Sequence, residues 1–316
     1  MGQYFITTFG CQMNVHDSEV LAGMLESLEY TAAASPEAAD LILLNTCCVR
    51  ENAENRTFGH IGNLKVLKEQ KPGLVIGVCG CMAQEPTEVE KIKTKFPWVD
   101  LVFGTHNLHE LPELLKQVSE THSQVIEVWD HDGTIREGLP VKRTDRFRAW
   151  VTIMYGCNNF CAYCIVPYVR GRERSRAPEV VIDEIRDLVR DGVREVTLLG
   201  QNVNSYGQDL PESERIRNFA GLLREIAKGT GIRRIRFQTS HPKDLSAELI
   251  EVMAEEPNIC HHLHLPIQAG SSRVLQLMNR RYTKEGYLEL VARLKARIPD
   301  IALTTDIIAG FPGELE

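Results

Sequence analysis

Three cysteines stand in the stretch Cys157-Asn158-Asn159-Phe160-Cys161-Ala162-Tyr163-Cys164, spaced C-x3-C-x2-C. Three thiolates leave one iron of a four-iron, four-sulfur cluster without a protein ligand, and an iron with an open position can bind a substrate. A fourth cysteine would close the cluster for electron transfer or structure. The plainer uses of such a triplet are a structural zinc site or buried thiols. Zinc sites normally combine two knuckles of the C-x2-C or Cys/His kind, and no matching second knuckle lies nearby, so the cluster is the preferred reading.

Three more cysteines, Cys11, Cys47 and Cys81, are far apart along the chain, and each follows a short apolar run, at Tyr4 to Thr8, Asp40 to Asn45 and Leu74 to Val78. Helical periodicity fits Asp17 to Tyr30, Glu51 to Gln70, Thr87 to Phe96 and Leu108 to Val118, with a further strand at Leu101 to Gly104. Alternating strands and helices build a parallel, doubly wound sheet, which binds ligands at the carboxyl ends of its strands. All three thiols fall at such ends, with Gly10 and Gly80 letting the backbone turn before two of them. A second three-thiolate site is therefore expected; three buried structural thiols are the alternative. Cys48 and Cys79 read first as structural neighbours: Cys48 points away from Cys47 on an extended backbone, Cys79 shares a face with Cys81, which leaves substitute ligation as its alternative, and Cys260 reads as a core thiol.

Residues 1–118 thus form one α/β domain. Residues 119–149 read as a linker and hairpin, with a strand at Val125 to Trp129, a turn at Asp132-Gly133 and a basic connection from Leu139 to Arg148. From residue 150 the alternation resumes. Strands are expected at Trp150 to Tyr155, Glu195 to Leu199, Ile232 to Gln238, His261 to Ile267 and Ile301 to Ile308. Helices fit Pro178 to Arg190, Phe219 to Ala227, Leu245 to Glu255, and Ser272 to Asn279 running on through Tyr287 to Ile298. Residues 150–316 therefore read as a partial (β/α) barrel, whose chemistry sits at the strand C-termini. The sequence stops just after its last strand, so the barrel is expected to be truncated.

The 316 residues are 43% hydrophobic and 25% charged, ordinary for a folded protein. A formal net charge of -7 means that a nucleic-acid partner would have to meet a local basic patch. Arg170, Arg172, Arg174 and Arg176, with Lys142, Arg143, Arg146 and Arg148 before them, are expected to form one suited to phosphates; a solvated charge run is the alternative. Arg233, Arg234 and Arg236 are expected to pair with acids. There is no run of about 18 apolar residues and no basic start followed by an apolar core, which points to a cytoplasmic protein without a membrane span. Nine cysteines, an odd number, argue against a disulfide framework.

The segment from Tyr155-Gly156-Cys157 to Cys164-Ile165-Val166-Pro167-Tyr168-Val169-Arg170-Gly171-Arg172-Glu173-Arg174-Ser175-Arg176 resembles the cluster loop of the radical S-adenosylmethionine methylthiotransferases. Phe9-Gly10-Cys11-Gln12-Met13-Asn14, Leu44-Asn45-Thr46-Cys47-Cys48-Val49-Arg50 and Gly80-Cys81-Met82-Ala83-Gln84 are similar to that family's N-terminal domain. Four separated motifs in family order cover essentially the whole chain, and the wording is nearest to the bacterial branch that modifies tRNA.

The resemblance implies two [4Fe-4S] clusters, one on Cys157, Cys161 and Cys164, and an auxiliary one on Cys11, Cys47 and Cys81. S-adenosylmethionine would chelate the open iron and be cleaved by one electron to methionine and a 5'-deoxyadenosyl radical. That radical would remove hydrogen from C2 of N6-isopentenyladenosine next to the tRNA anticodon, an unpaired base that can be splayed into a pocket. The auxiliary cluster would supply sulfur and a second S-adenosylmethionine the methyl group. Gly200, Gln201 and Asn202, after the second barrel strand, would form the turn that binds the amino group of S-adenosylmethionine. Tyr163, Ser240 and Gln268 are placed with the same cofactor, the alternatives being a core aromatic for Tyr163 and ordinary loop polar groups for Ser240 and Gln268.

The partners implied are isopentenylated tRNA and an electron donor such as flavodoxin or ferredoxin, with the chain acting as a monomer. Asp306, within an apolar strand, is expected to face the barrel interior, and His261, His262 and His264 to be structural or beside the substrate. The family's small C-terminal RNA-binding TRAM domain is expected to be missing. The alternatives are a ribosomal-protein aspartate methylthiotransferase and a non-catalytic iron-sulfur or zinc fragment.

Overall fold

The computed structural model describes residues 2–48 and 51–315, so Val49 and Arg50 of the second N-terminal motif lie outside the described residues. The chain divides into two compact units, Met1–Thr144 with Tyr168–Gly171, and Asp145–Pro167 with Arg172–Glu316.

The first unit runs β1 (Gln3–Thr8), α1 (Gln12–Ser27), β2 (Thr31–Ala32), β3 (Leu41–Thr46), α2 (Glu51–Gln70), β4 (Val75–Gly80), α3 (Pro86–Lys95), β5 (Leu101–Phe103), α4 (Leu111–Thr121) and β6 (Val125–Glu127). Its sheet has the order β2-β1-β3-β4-β5-β6, and every pairing is parallel. The apolar run of β3 explains the layering. Leu41 and Leu43 pack with Leu21 and Leu25 of α1 and Leu114 of α4, while Ile42 and Leu44 pack with Ile61 of α2 and Ile92 of α3. A strand buried on both faces needs apolar residues throughout, and helices on both faces make the sheet doubly wound.

Three details depart from the sequence expectation. Helix α1 begins at Gln12 rather than Asp17; its first turns carry buried polar Asn14 and Asp17, which hide the apolar periodicity. Strand β2 is a two-residue edge strand, too short to show alternation. Strand β6 pairs in parallel with β5, Leu101 opposite Val125, and so is reached by the α4 crossover and not by a hairpin. The Asp132-Gly133 turn joins no pair of strands. After it Leu139 packs against the α1/α4 core and Lys142 N donates to Glu19 O across 2.9 Å. Residues 119–144 therefore belong to the first unit where the sequence suggested a linker.

The second unit contains β7 (Arg148–Thr152), β8 (Met154–Tyr155), α5 (Val166–Val169), β9 (Arg174–Ser175), α6 (Pro178–Arg190), β10 (Glu195–Leu199), α7 (Phe219–Gly229), β11 (Arg234–Gln238), α8 (Ala247–Glu255), β12 (His262–His264), α9 (Ser272–Leu277), α10 (Lys284–Arg297) and β13 (Ala302–Thr304). Strands β7, β10 and β11 form one parallel sheet, β12 and β13 another, and a bridge between Ile235 and Ile259 leads from β11 towards β12. Residues three and four apart on the helices, such as Val181 and Ile185, Leu222 and Ile226, Leu249 and Met253, and Leu290 and Leu294, face one core. This is the (β/α) barrel arrangement, with five parallel strands.

The expected first strand is split, because β8 leaves the barrel sheet to pair antiparallel with β9. The expected helix from Ser272 to Ile298 is two. Asn279 takes a left-handed φ of 56°, and α10 restarts where Thr283 Oγ1 accepts from Gly286 N across 3.1 Å.

Candidate functional site

In the first unit the loops after β1, β3 and β4 carry Cys11, Cys47 and Cys81 to one place. Cys11 is the N-cap residue of α1, which puts Asn14 one turn along on the same side. Asn14 Oδ1 lies 3.7 Å from Cys11 Sγ and 4.0 Å from Cys81 Sγ. A β-carbon on Gly10 would lie 2.9 Å from Cys47 Sγ, which places the third thiol beside the first. Asn14 Nδ2 donates to Thr46 O at 2.8 Å, and Cys81 N donates to the same oxygen at 2.9 Å, so the three loops share hydrogen bonds. Gly10 and Gly80 hold φ of +108° and +91°, angles that a side chain resists.

Arg170, on the Tyr168–Gly171 segment of this unit, completes the cluster of contacts. Its Nε donates to Cys81 Sγ at 3.3 Å, and one terminal nitrogen donates to Asn14 Oδ1 at 3.0 Å and to Asp17 Oδ2 at 2.7 Å. Burial pushes the Cys81 thiol up to about 11, and the Arg170 charge pulls against it. Cys79, by contrast, is wholly buried in the core of α1 and α4, where burial raises its thiol strongly, so it is a core thiol and not a substitute ligand. Cys48 is half-buried and packs on the α2/α3 side.

In the second unit Cys157, Cys161 and Cys164 lie on the loop after β8. Cys157 and Cys161 are buried and Cys164 is half-buried. Phe160 adopts a left-handed φ of 47°, and the turn is held by Asn279 Nδ2 donating to Phe160 O at 2.8 Å and Ala162 N donating to Met278 O at 3.0 Å. Asn159 Nδ2 donates to Cys157 Sγ at 3.3 Å. Burial pushes the Cys157 thiol up to about 11, opposed by the Asn159 hydrogen bonds. Arg280 Nη1 donates to Cys161 Sγ at 3.4 Å and to Tyr163 Oη at 3.3 Å, while its Nη2 donates to Pro266 O at 3.1 Å.

The donor sets fit iron-sulfur clusters: all nine cysteines are free, and each group of three brings soft ligands from one loop system together with a charged donor aimed at sulfur. Among the described residues no three or more His, Cys, Asp or Glu side chains are gathered to hold a single metal ion. A four-iron cluster distributes its thiolates over different irons and needs the wider spacing.

The loops after β10 and β11 fit a polar ligand for a different reason. Val203 N donates to Thr239 O at 2.9 Å, tying them together. Among the described residues, Gln201 Oε1, Asn202 Oδ1, both side-chain polar atoms of Asn204 and Ser240 Oγ are buried without a hydrogen-bond partner. Each such atom costs about 1–3 kcal/mol if nothing pairs with it, and native proteins carry few. Five in one pair of adjoining loops mark a place where a ligand supplies the partners. Gly200 adds backbone only: its N donates to Gln238 O at 3.0 Å. Gln268 sits with a φ of 71° beside the bridge to Ile307, and Tyr163 is partly exposed at 36%.

Other expectations are corrected. Arg170 and Arg176 are buried, Arg176 donating to Thr152 O at 2.7 Å, so the period-two arginines do not form one basic surface; only Arg172 of the four is exposed. Lys142 pairs with Glu26 and Arg148 with Asp145; Arg234 and Arg236 pair with Glu195, as expected. Asp306 is exposed, 3.3 Å from His264 Nε2, and does not face an interior. His261 contacts Asp300 at 2.8 Å. The sequence reading missed Asn14, Asp17, Asn204 and Arg280. Asn14 was signalled by its place three residues after Cys11, and Asn204 by the polar run Gln201-Asn202-Val203-Asn204.

Residues 3–104 match the family model described as Uncharacterized protein family UPF0004, and residues 151–316 match that of the Radical SAM superfamily. Curated relatives named tRNA-2-methylthio-N(6)-dimethylallyladenosine synthase include that of Desulforamulus reducens, 58% identical over 99% of this chain and 68% of its own length. That of Acetivibrio thermocellus is 59% identical, over 99% and 65%, and that of Staphylococcus aureus strain Newman 54%, over 99% and 60%. The chain thus spans roughly two thirds of the relatives it matches. Among solved structures, the radical S-adenosylmethionine methyltransferase TsrM from Kitasatospora setae superposes with a TM-score of 0.66 at 16% identity, over 99% of this chain and 68% of that one. The cobalamin-dependent S-adenosylmethionine radical enzyme OxsB gives 0.64 at 13% identity, over 98% and 49%. At such identities these two share the fold. The chain belongs to the radical SAM methylthiotransferase family.

Proposed function

We propose that this chain methylthiolates C2 of N6-isopentenyladenosine next to the anticodon of tRNA, using two [4Fe-4S] clusters and S-adenosylmethionine. The observation that carries this is the pair of three-thiol sites in a chain 58% identical, along 99% of its length, to a tRNA-2-methylthio-N(6)-dimethylallyladenosine synthase. That name supports tRNA over a ribosomal-protein aspartate and over a non-catalytic fragment.

Cys157, Cys161 and Cys164 would hold the radical-generating cluster, and Cys11, Cys47 and Cys81 the auxiliary one. When bound, the first cluster and S-adenosylmethionine supply a one-electron cleavage that yields a carbon radical able to take hydrogen from an aromatic C–H. Such a C–H has no useful acidity, so the protein's part is positioning and not acid–base catalysis. Asn159 and Arg280 hold the thiols of Cys157 and Cys161 by donating to their sulfurs. Gln201, Asn202, Asn204 and Ser240 bind and orient S-adenosylmethionine with the polar atoms that lack partners, and Gly200, Gln268 and Tyr163 are assigned to the same cofactor. Among the described residues no helix is long and apolar enough to cross a membrane. The chain acts in the cytoplasm as a monomer, with its electron from a low-potential carrier such as flavodoxin or ferredoxin.

The test is mass spectrometry of isopentenylated tRNA after incubation with anaerobically reconstituted protein, reductant and S-adenosylmethionine. A 2-methylthio product on the adenosine is expected. Formation of 5'-deoxyadenosine with the tRNA unchanged would overturn the substrate assignment while leaving the radical chemistry standing.

A further inference from the structure

Arg170 is the one arginine of its motif that belongs to the first unit, and 6% of it is exposed. A buried guanidinium is costly unless its donors are used. Two of its nitrogens are committed to the three-thiol site: Nε to Cys81 Sγ at 3.3 Å, Nη2 to Asn14 Oδ1 at 3.0 Å and Asp17 Oδ2 at 2.7 Å. The Asp17 carboxylate is also buried, and it accepts from Nη2 while Nε is left for the sulfur. Asn14 is itself fixed to Asn45 and Thr46, so the guanidinium is held by a rigid frame on α1 and β3 while its Nε–H points at the thiol.

We infer that Arg170 is a positioning residue for the auxiliary cluster, donating a charge-assisted hydrogen bond to the Cys81 sulfur and thereby raising the reduction potential of that cluster. Hydrogen bonds to ligand sulfurs and the local charge are among the terms that set iron-sulfur potentials. One-electron reduction adds negative charge to the cluster and its thiolates, and a donor fixed 3.3 Å from Sγ stabilises the reduced form more than the oxidised one. Asp17 balances the guanidinium charge through Nη2, while the Nε–H remains the donor to the sulfur. A lysine cannot reproduce this, since a single ammonium lacks the planar fork that reaches Cys81, Asn14 and Asp17 together.

The inference rests on the reading that Cys11, Cys47 and Cys81 hold a cluster, and the experiment separates the two. In a Cys157→Ala, Cys161→Ala, Cys164→Ala background only the auxiliary cluster remains, and its potential is read by electron paramagnetic resonance during titration with dithionite. Retention of about four irons in that background is expected; if it holds none, the cluster reading falls and this inference with it. Adding Arg170→Met with Asp17→Asn removes the donor without leaving a buried carboxylate unpaired. The reduction equilibrium should move at least tenfold towards the oxidised form, a potential lower by about 59 mV or more for one electron. Arg170→Lys alone should lower it too, by a smaller amount, and decides the matter if the double variant does not assemble. A cluster intact in either variant at the unaltered potential would overturn the inference.

Discussion

Gly10 and Cys47 approach so closely that a β-carbon on residue 10 would stand 2.6 Å from the Cys47 Cβ and 2.9 Å from its Sγ. The φ of +108° at Gly10 adds backbone strain for any side chain. Gly10→Ala should therefore push Cys47 out of the three-thiol group while the Cys157 loop is untouched. Iron analysis after anaerobic reconstitution should give about four irons per chain instead of about eight, with cleavage of S-adenosylmethionine retained. A full complement of iron in the variant would refute this.

Ser240 supplies a second, opposite kind of prediction. Its hydroxyl is buried with no partner among the described residues, so Ser240→Ala removes a group that destabilises the ligand-free protein. Thermal stability without S-adenosylmethionine should stay level or rise. Affinity for S-adenosylmethionine, measured by calorimetry, should fall about fivefold, the equivalent of one hydrogen bond of about 1 kcal/mol. A variant that loses stability and keeps its affinity would place the hydroxyl outside the ligand site.

His241 sets a pH dependence. Burial, with Arg280 and Lys243 nearby, pushes its imidazole down to about 3, so the folded chain keeps it neutral where the unfolded chain takes up a proton. Its contribution to stability is present above about 6.5 and is lost as pH falls from there towards 3, at a slope of at most about 1.4 kcal/mol per pH unit. His241→Gln should flatten this part of the stability profile, measured by urea denaturation between pH 7 and 5. An unchanged slope would mean that His241 is protonated in the folded protein.

The cysteine motifs were legible because a thiol after a strand carries its position with it: once the strands alternate with helices, Cys11, Cys47 and Cys81 must gather at one edge. Strand and helix order was legible for the same reason, since runs such as Leu41–Leu44 are long and buried on both faces. The arginines were not. A period of two from Arg170 to Arg176 suggests one exposed face only if the segment is extended. Here Val166–Val169 is a short helix, Gly171 turns with φ of 75°, and β9 covers just Arg174–Ser175, so successive arginines point to unrelated surroundings. Asp17 was hidden because a buried carboxylate on a helix looks like a solvent-facing one until its partner, 153 residues away, is known.

The iron held by each set of thiols tests the two clusters most directly. Iron and sulfide analysis with Mössbauer spectroscopy would compare three anaerobically reconstituted proteins: the unaltered chain, Cys11→Ala with Cys47→Ala and Cys81→Ala, and Cys157→Ala with Cys161→Ala and Cys164→Ala. About eight, four and four irons per chain, all as four-iron clusters, are predicted. An unaltered chain with about four irons or fewer, or zinc in place of iron, would contradict the two-cluster account.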